Sequence, residues 1–178
     1  MTRGRISSIL DVTLRNGDAG RTKVSGGVGL VSSRLAVEGP IAKNRSSYMI
    51  GGRLSYCNWL IKSTDDIQLR NSSANFHDIT AKIFHTINDN NFLTLSAYNS
   101  YDGFSLATDS TFSWGTFNAS LKWDHTFNEN ISSTLNISNS NYFSDVESFN
   151  EIERFTYRNA IANYGVKYEL NYSLGEES

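Results

Sequence analysis

The chain has 178 residues, 16 basic and 18 acidic side chains, a formal charge of −2, and 12% aromatic against 19% charged residues. That balance is too aromatic and too weakly charged for a disordered chain, and it offers no basic face for nucleic acid. One cysteine and one proline exclude a disulfide scaffold, a thiolate zinc site and a proline-rich linker.

No run approaches the roughly 18 apolar residues of a helical membrane span. Residues 1–8 begin basic without an apolar stretch to follow, unlike a signal peptide. From there the governing signal is a period of two. Weak alternation runs through 24–30 and 33–41. Tyr48, Ile50, Gly52, Leu54 and Tyr56 then alternate with Ser47, Met49, Gly51, Arg53 and Ser55. Ile79, Ala81, Ile83 and Ile87 stand opposite Asp78, Thr80, Lys82 and Thr86, and Leu93, Leu95 and Ala97 face away from Thr94, Ser96 and Ser100. Phe117, Ala119, Leu121, Trp123, His125 and Phe127 alternate with Thr116, Asn118, Ser120, Lys122, Asp124 and Thr126. A weaker run covers 131–143. The clearest is last: Ala162, Tyr164, Val166, Tyr168, Leu170, Tyr172 and Leu174 against Asn163, Gly165, Lys167, Glu169, Asn171 and Ser173. Successive strand side chains point to opposite faces, so each run is a strand with one apolar and one polar face. Roughly seven or eight antiparallel strands are expected, many near ten residues, where soluble strands average about 5–6.

Asn-rich segments at 42–46, 88–91 and 128–130 predict tight turns. Between them, 57–73, 101–113 and 144–158 read as longer polar loops. Short turns on one side and long loops on the other is the arrangement of an outer-membrane barrel. Mid-strand charges at Arg53, Asp78, Lys82, Lys122, Asp124, Lys167 and Glu169 all share the polar parity. They suit either a hydrated lumen or the outside of a soluble barrel. Strand length separates the two, as do the rings near the ends of the apolar faces: Tyr48 and Tyr56, Trp123 and Phe127, Tyr164 and Tyr172. Interfacial girdles place amphipathic rings there, which favours lipid.

Several segments resemble the TonB-dependent outer-membrane receptors, in particular the branch with a carboxypeptidase-regulatory-like N-terminal domain. Residues 4–14 are similar to the last strand of that family's plug domain, and 15–22, with Asn16-Gly17-Asp18, to its exit into the barrel. Gly27-Val28-Gly29 through Leu35, followed by Glu38-Gly39-Pro40-Ile41, resembles the first barrel hairpin. Ser46-Ser47-Tyr48 with Gly52-Arg53, and Trp114-Gly115 leading to Trp123, also fit. The resemblance implies an all-β fold, an antiparallel up-and-down transmembrane β-barrel segment holding part of a barrel of about 22 strands. It divides the chain into 1–20, the end of a plug and its linker, and 21–178, the N-terminal part of the barrel. It implies a fragment of a receptor in the outer membrane of a Gram-negative bacterium. That receptor would take up a scarce nutrient (metal chelate, cobalamin or glycan) with energy from a TonB complex engaged through a missing N-terminal region. Two other architectures stay open, a complete eight-stranded outer-membrane barrel with a structural or adhesive role and a soluble lipocalin-like barrel.

The residues offer little for catalysis, and no enzyme or cofactor is expected. His77 and His85 share a strand face about 27 Å apart, too far to share a metal. His125 stands alone, and Cys57 has no local base to activate it. Asp65, Asp66, Asp102, Asp109, Asp145 and Glu147 read as solvated acidic loops. Gly26, Gly27 and Gly29 precede no helix and form no phosphate loop. For ligand binding, Trp59, Tyr101, Trp114 and Tyr157 are the candidates, because aromatic anchors in exposed loops carry much recognition energy.

Overall fold

The computed structural model describes residues 14–107, 110–149 and 154–173. They form one eight-stranded antiparallel sheet whose spatial order is the order along the chain. The strands are β1 (Lys23–Val28), β2 (Ser32–Ala42), β3 (Ser46–Ser55), β4 (Ser73–Asn88), β5 (Asn91–Leu106), β6 (Ser110–Asn128), β7 (Ile131–Phe149) and β8 (Arg154–Tyr172). Two short helices, α1 (Asn58–Lys62) and α2 (Ile67–Arg70), occupy the β3–β4 link. The all-β, up-and-down arrangement is the one the alternation predicts. β1 and β8 do not pair, so the sheet is open. Residues 1–13, read above as the end of a plug, lie outside the described residues.

The tight turns form for a local reason. Asn88 Oδ1 accepts the Asn90 amide at 3.1 Å, and Asn128 Oδ1 accepts the Asn130 and Ile131 amides, each at 2.9 Å. A short amide side chain thus satisfies the donors that the reversing backbone frees, which is why Asn recurs here. Asn44, at the β2–β3 turn, takes a φ of 59°, a left-handed angle that Asn tolerates. Removing the Asn128 acceptor as Asn128→Ala is expected to cost about 1 kcal/mol. Denaturant unfolding in detergent checks it, with Asn130→Ala as the milder comparison.

The other end of the sheet departs from expectation. Only the β3–β4 link is long. The segments 101–113 and 144–158, expected as loops, are mostly strand, because β5 and β6 continue to Leu106 and from Ser110, and β7 and β8 to Phe149 and from Arg154. Cross-strand pairing persists throughout, from Tyr101↔Gly115 to Leu106↔Ser110 and from Asp145↔Arg158 to Phe149↔Arg154. The Asp, Gly and Ser content of these segments reflects what surrounds the strands, not a break in them.

No hydrophobic residue among those described is buried; the buried ones are polar, charged or glycine, including Ser47, Glu38, Asp145 and Gly115. The chain exposes 13254 Å² of surface, where a compact water-soluble monomer of its mass would expose about 8,700 Å². Most aliphatic side chains over the middle of the sheet therefore lie on one face of a ribbon without a second layer to cover them.

Candidate functional site

Register sorts the side chains into two faces. One carries Lys82, Ser96, Ser120 and Ser138 in one row and Phe84, Thr94, Lys122, Asn136 and Lys167 in the next. The other carries Ile83, Leu95, Leu121, Ile137 and Val166 as one continuous row. These are called the Lys122 face and the Leu121 face below.

Several charges on the Lys122 face pair with one another. Arg53 Nε donates to Asp78 at 2.7 Å, Lys122 pairs with Asp124 at 2.8 Å and Lys167 with Glu169 at 2.6 Å. Residues 14–22 lie as a strap across this face. Arg15 forms a two-pronged pair with Glu38, one arm at 3.0 Å, and Lys82 Nζ donates to the Leu14 carbonyl. Farther on, the Asn44 amide donates to the Ala19 carbonyl at 3.0 Å. Asp18 accepts the Gly20 amide at 2.8 Å and pairs with Lys23 Nζ at 2.6 Å. Gly17 meets the β3 backbone so closely that an added Cβ would fall within 2.7 Å of the Tyr48 carbonyl carbon and nearer still to its oxygen. This approach requires glycine.

The Lys23 ammonium, then the Gly20 and Arg21 amides, hold the Asp18 carboxyl well below the usual carboxylate range. A depressed folded value means the contribution is present above the unfolded value of about 3.9 and is lost as pH falls through the folded one. The strap should hold unchanged from pH 8 to 5 and loosen only under more acid conditions. Gly20 and Arg21 amide resonances, followed by NMR titration in micelles, check this. Asp18→Asn should give the loosened spectrum already at pH 7.

The Leu121 face is apolar over its middle and ends in rings. Towards the turns lie Trp123, His125 and Phe127, with His125 edge-on to Phe127 at 4.3 Å between ring centroids. Towards the other end, Tyr101 stacks on His77 at 5.7 Å and approaches Phe143 at 6.3 Å, with Gly115 leaving space between their strands. Asn139 and Asn141 interrupt this face, and the Asn141 amide donates to Asn139 Oδ1 at 2.8 Å.

Beyond the Tyr101–Gly115–Phe143 row the two faces exchange character. The Leu121 face becomes polar, with Asn75, Ser113, Asp145 and Arg158, the last two joined at 2.7 Å. The Lys122 face becomes aromatic: Phe104, Phe112, Val146 and Tyr157 form one cross-strand row, and Trp114 lies between Asp102 and Ser144 in the next. No bulge intervenes there.

The four sequence candidates therefore do not converge. Trp114 and Tyr157, strand residues of β6 and β8, share the aromatic end of the Lys122 face. Tyr101 is in β5 on the opposite face. Trp59 is in α1, its Nε1 donating to the Leu30 carbonyl at 3.0 Å. Phe76, Phe104 and Phe112 complete the aromatic end; the even-numbered spacing through 102–114 marks the last two, whereas Phe76 is brought there by its pairing with Asp102. Among the described residues, no three of His, Cys, Asp or Glu come together to hold a metal. Cys57 is a free thiol placed against the Ala74 carbonyl. No protein-family model, curated protein or solved structure matches the chain.

Proposed function

We propose that this sheet is part of the wall of a TonB-dependent outer-membrane receptor, taking up a scarce nutrient with the Leu121 face in lipid and the Lys122 face lining a hydrated lumen. The observation that carries the reading is the placement of apolar and ionic residues. The unburied apolar stripe of β6 runs over 117–127, and a tilted strand needs about 9–11 residues to cross a bilayer. Rings flank the stripe at both ends, as interfacial girdles do. The ion-paired residues lie behind it, where water can reach them. A strap entering across the same polar face suits a chain that passes from a plug inside the lumen into the wall.

Neither alternative fits as well. A self-contained eight-stranded barrel must join β1 to β8, but β1 has 6 residues and β8 has 19. Most of β8 would stay unpaired in lipid, where each bare backbone group costs several kcal/mol. A soluble lipocalin-like barrel needs its apolar face inside, whereas here the strap covers the polar one.

Refolding the chain with lipid vesicles tests the reading. Co-flotation, with the strands protected from protease, is expected. Monodisperse protein in plain buffer that ignores vesicles would overturn it. For the import step, uptake by the whole receptor should stop when the proton gradient is collapsed.

A further inference from the structure

The Lys122 face holds one pair of cations that its ion pairs leave unbalanced. Register sets Arg34 of β2 directly opposite Arg53 of β3, with Asp78 of β4 next in the same row. Like charges directly opposite on one face of a sheet repel and destabilise it. The one carboxylate of this trio is already committed, because Arg53 Nε donates to Asp78 at 2.7 Å. Arg34 is exposed, and no carboxylate among the described residues pairs with it. The two arms lean apart. A Cβ added at Gly27 would lie 3.5 Å from Arg34 Nε, so Arg34 extends over β1, whereas Arg53 reaches the other way, to β4. Beside them opens a cavity of about 420 Å³, lined by both arginines and by the small residues of the next row, Ser25, Ala36, Gly51 and Thr80.

We propose that this cavity binds the phosphate group of a phosphate monoester, held between the Arg34 and Arg53 guanidiniums, with the Ser25 and Thr80 hydroxyls on its remaining oxygens. The inference goes beyond the receptor reading and does not depend on it, since it needs only a face that water reaches. The donor set selects the ligand. Arg53 keeps its two outer nitrogens after Nε is taken by Asp78, and Arg34 keeps its whole fork. A carboxylate presents one edge of two oxygens, which a single guanidinium fork satisfies. Two forks reaching from separate strands call for a third oxygen out of that plane. A phosphate monoester has three, with a charge of about −1.5 to −2 at pH 7 to offset the repelling pair. A neutral ligand would leave that repulsion uncompensated. The missing side chain of Gly51 and the short one of Ala36 leave the room that the group would fill.

The test uses the full chain refolded in detergent micelles and titrated by calorimetry at about 0.15 M salt, which screens diffuse attraction. Inorganic phosphate, glycerol phosphate, acetate and glycerol are the probes. Saturable binding of both phosphates is expected, at least tenfold tighter than acetate, with none for glycerol. Arg34→Gln should weaken it at least tenfold, and Arg34→Lys, which keeps the charge and loses the fork, at least threefold. Arg34 makes no ion pair among the described residues, so its replacement spares the sheet. Gly51→Leu should block the cavity with both arginines in place. An added Cβ there meets Ala36 Cβ at 3.5 Å and the Leu35 carbonyl oxygen at 3.8 Å, so the backbone need not move. Lys167→Gln, on the same face but far from the pair, should leave binding unchanged. The proposal is overturned by absence of saturable phosphate binding, by equal affinity for acetate, or by indifference to Arg34→Gln or Gly51→Leu. Vesicle flotation is scored separately. Insertion without phosphate binding removes this proposal alone, whereas binding without insertion removes the membrane reading alone.

Discussion

Leu121→Arg is expected to destabilise the vesicle-inserted protein by about 2–4 kcal/mol, while Lys122→Arg one residue later changes it little. Leu121 lies in the centre of the Ile83–Leu95–Leu121–Ile137–Val166 row, flanked on its own strand by Ala119 and Trp123. A guanidinium there has no partner on the face and must either enter hydrocarbon or pull water to itself. Lys122 points the other way and pairs with Asp124 at 2.8 Å, a pairing that arginine also makes. Depth gives a third point. Ser113 is on the same face as Leu121 but beyond the ring row, so Ser113→Arg should cost only about 0–1 kcal/mol. Guanidinium unfolding of the three variants in vesicles measures the series. Equal tolerance at 121 and 122 would mean that no lipid touches the Leu121 face.

Gly17→Ala is expected to lift the strap from β3. The added methyl would meet the Tyr48 carbonyl, a backbone group fixed between β2 and β4 by register and unable to yield as a side chain would. Overpacking of this kind costs about 1–3 kcal/mol. Displacement also strains the Arg15–Glu38 pair and the Asn44-to-Ala19 bond on either side of Gly17. Faster hydrogen exchange at the Asn44 amide reports the release. Gly20→Ala is the control, because a methyl there meets only Asp18 Oδ1, at an ordinary 3.4 Å. Unchanged Asn44 protection in Gly17→Ala would show that the strap is not held by that approach.

The strands were legible where one environment persists along them. From Phe117 to Phe127, and from Ala162 to Tyr172, each parity keeps its character, so the period of two stands out and the turns announce themselves by Asn. The ends of β5 to β8 were not legible for the opposite reason. Between Tyr101 and Phe104, and again between Trp114 and Phe117, the rings change parity although pairing continues unbroken. A change of surroundings along a straight strand looks, in one dimension, like a phase slip, and a phase slip among Asp, Gly and Ser reads as a loop. Trp114 and Tyr157 are rings in such segments and share a face. Tyr101 is an equally aromatic position whose odd parity in β5 turns it to the other face. The strap was invisible for a different reason: Arg15 and Glu38 are brought together by the sheet, not by spacing.

The bare side of β8 has a consequence for how such a wall is built. A 19-residue antiparallel strand with one neighbour leaves about nine backbone amides and as many carbonyls aimed sideways. Short, glycine-containing β1 offers far fewer. In the wall proposed above, β8 would offer a neighbouring strand a full-length template, whereas β1 would offer only a short one. An uncovered β8 edge is adhesive along its whole seam, and a factor that held such a chain during assembly would have to cover it there.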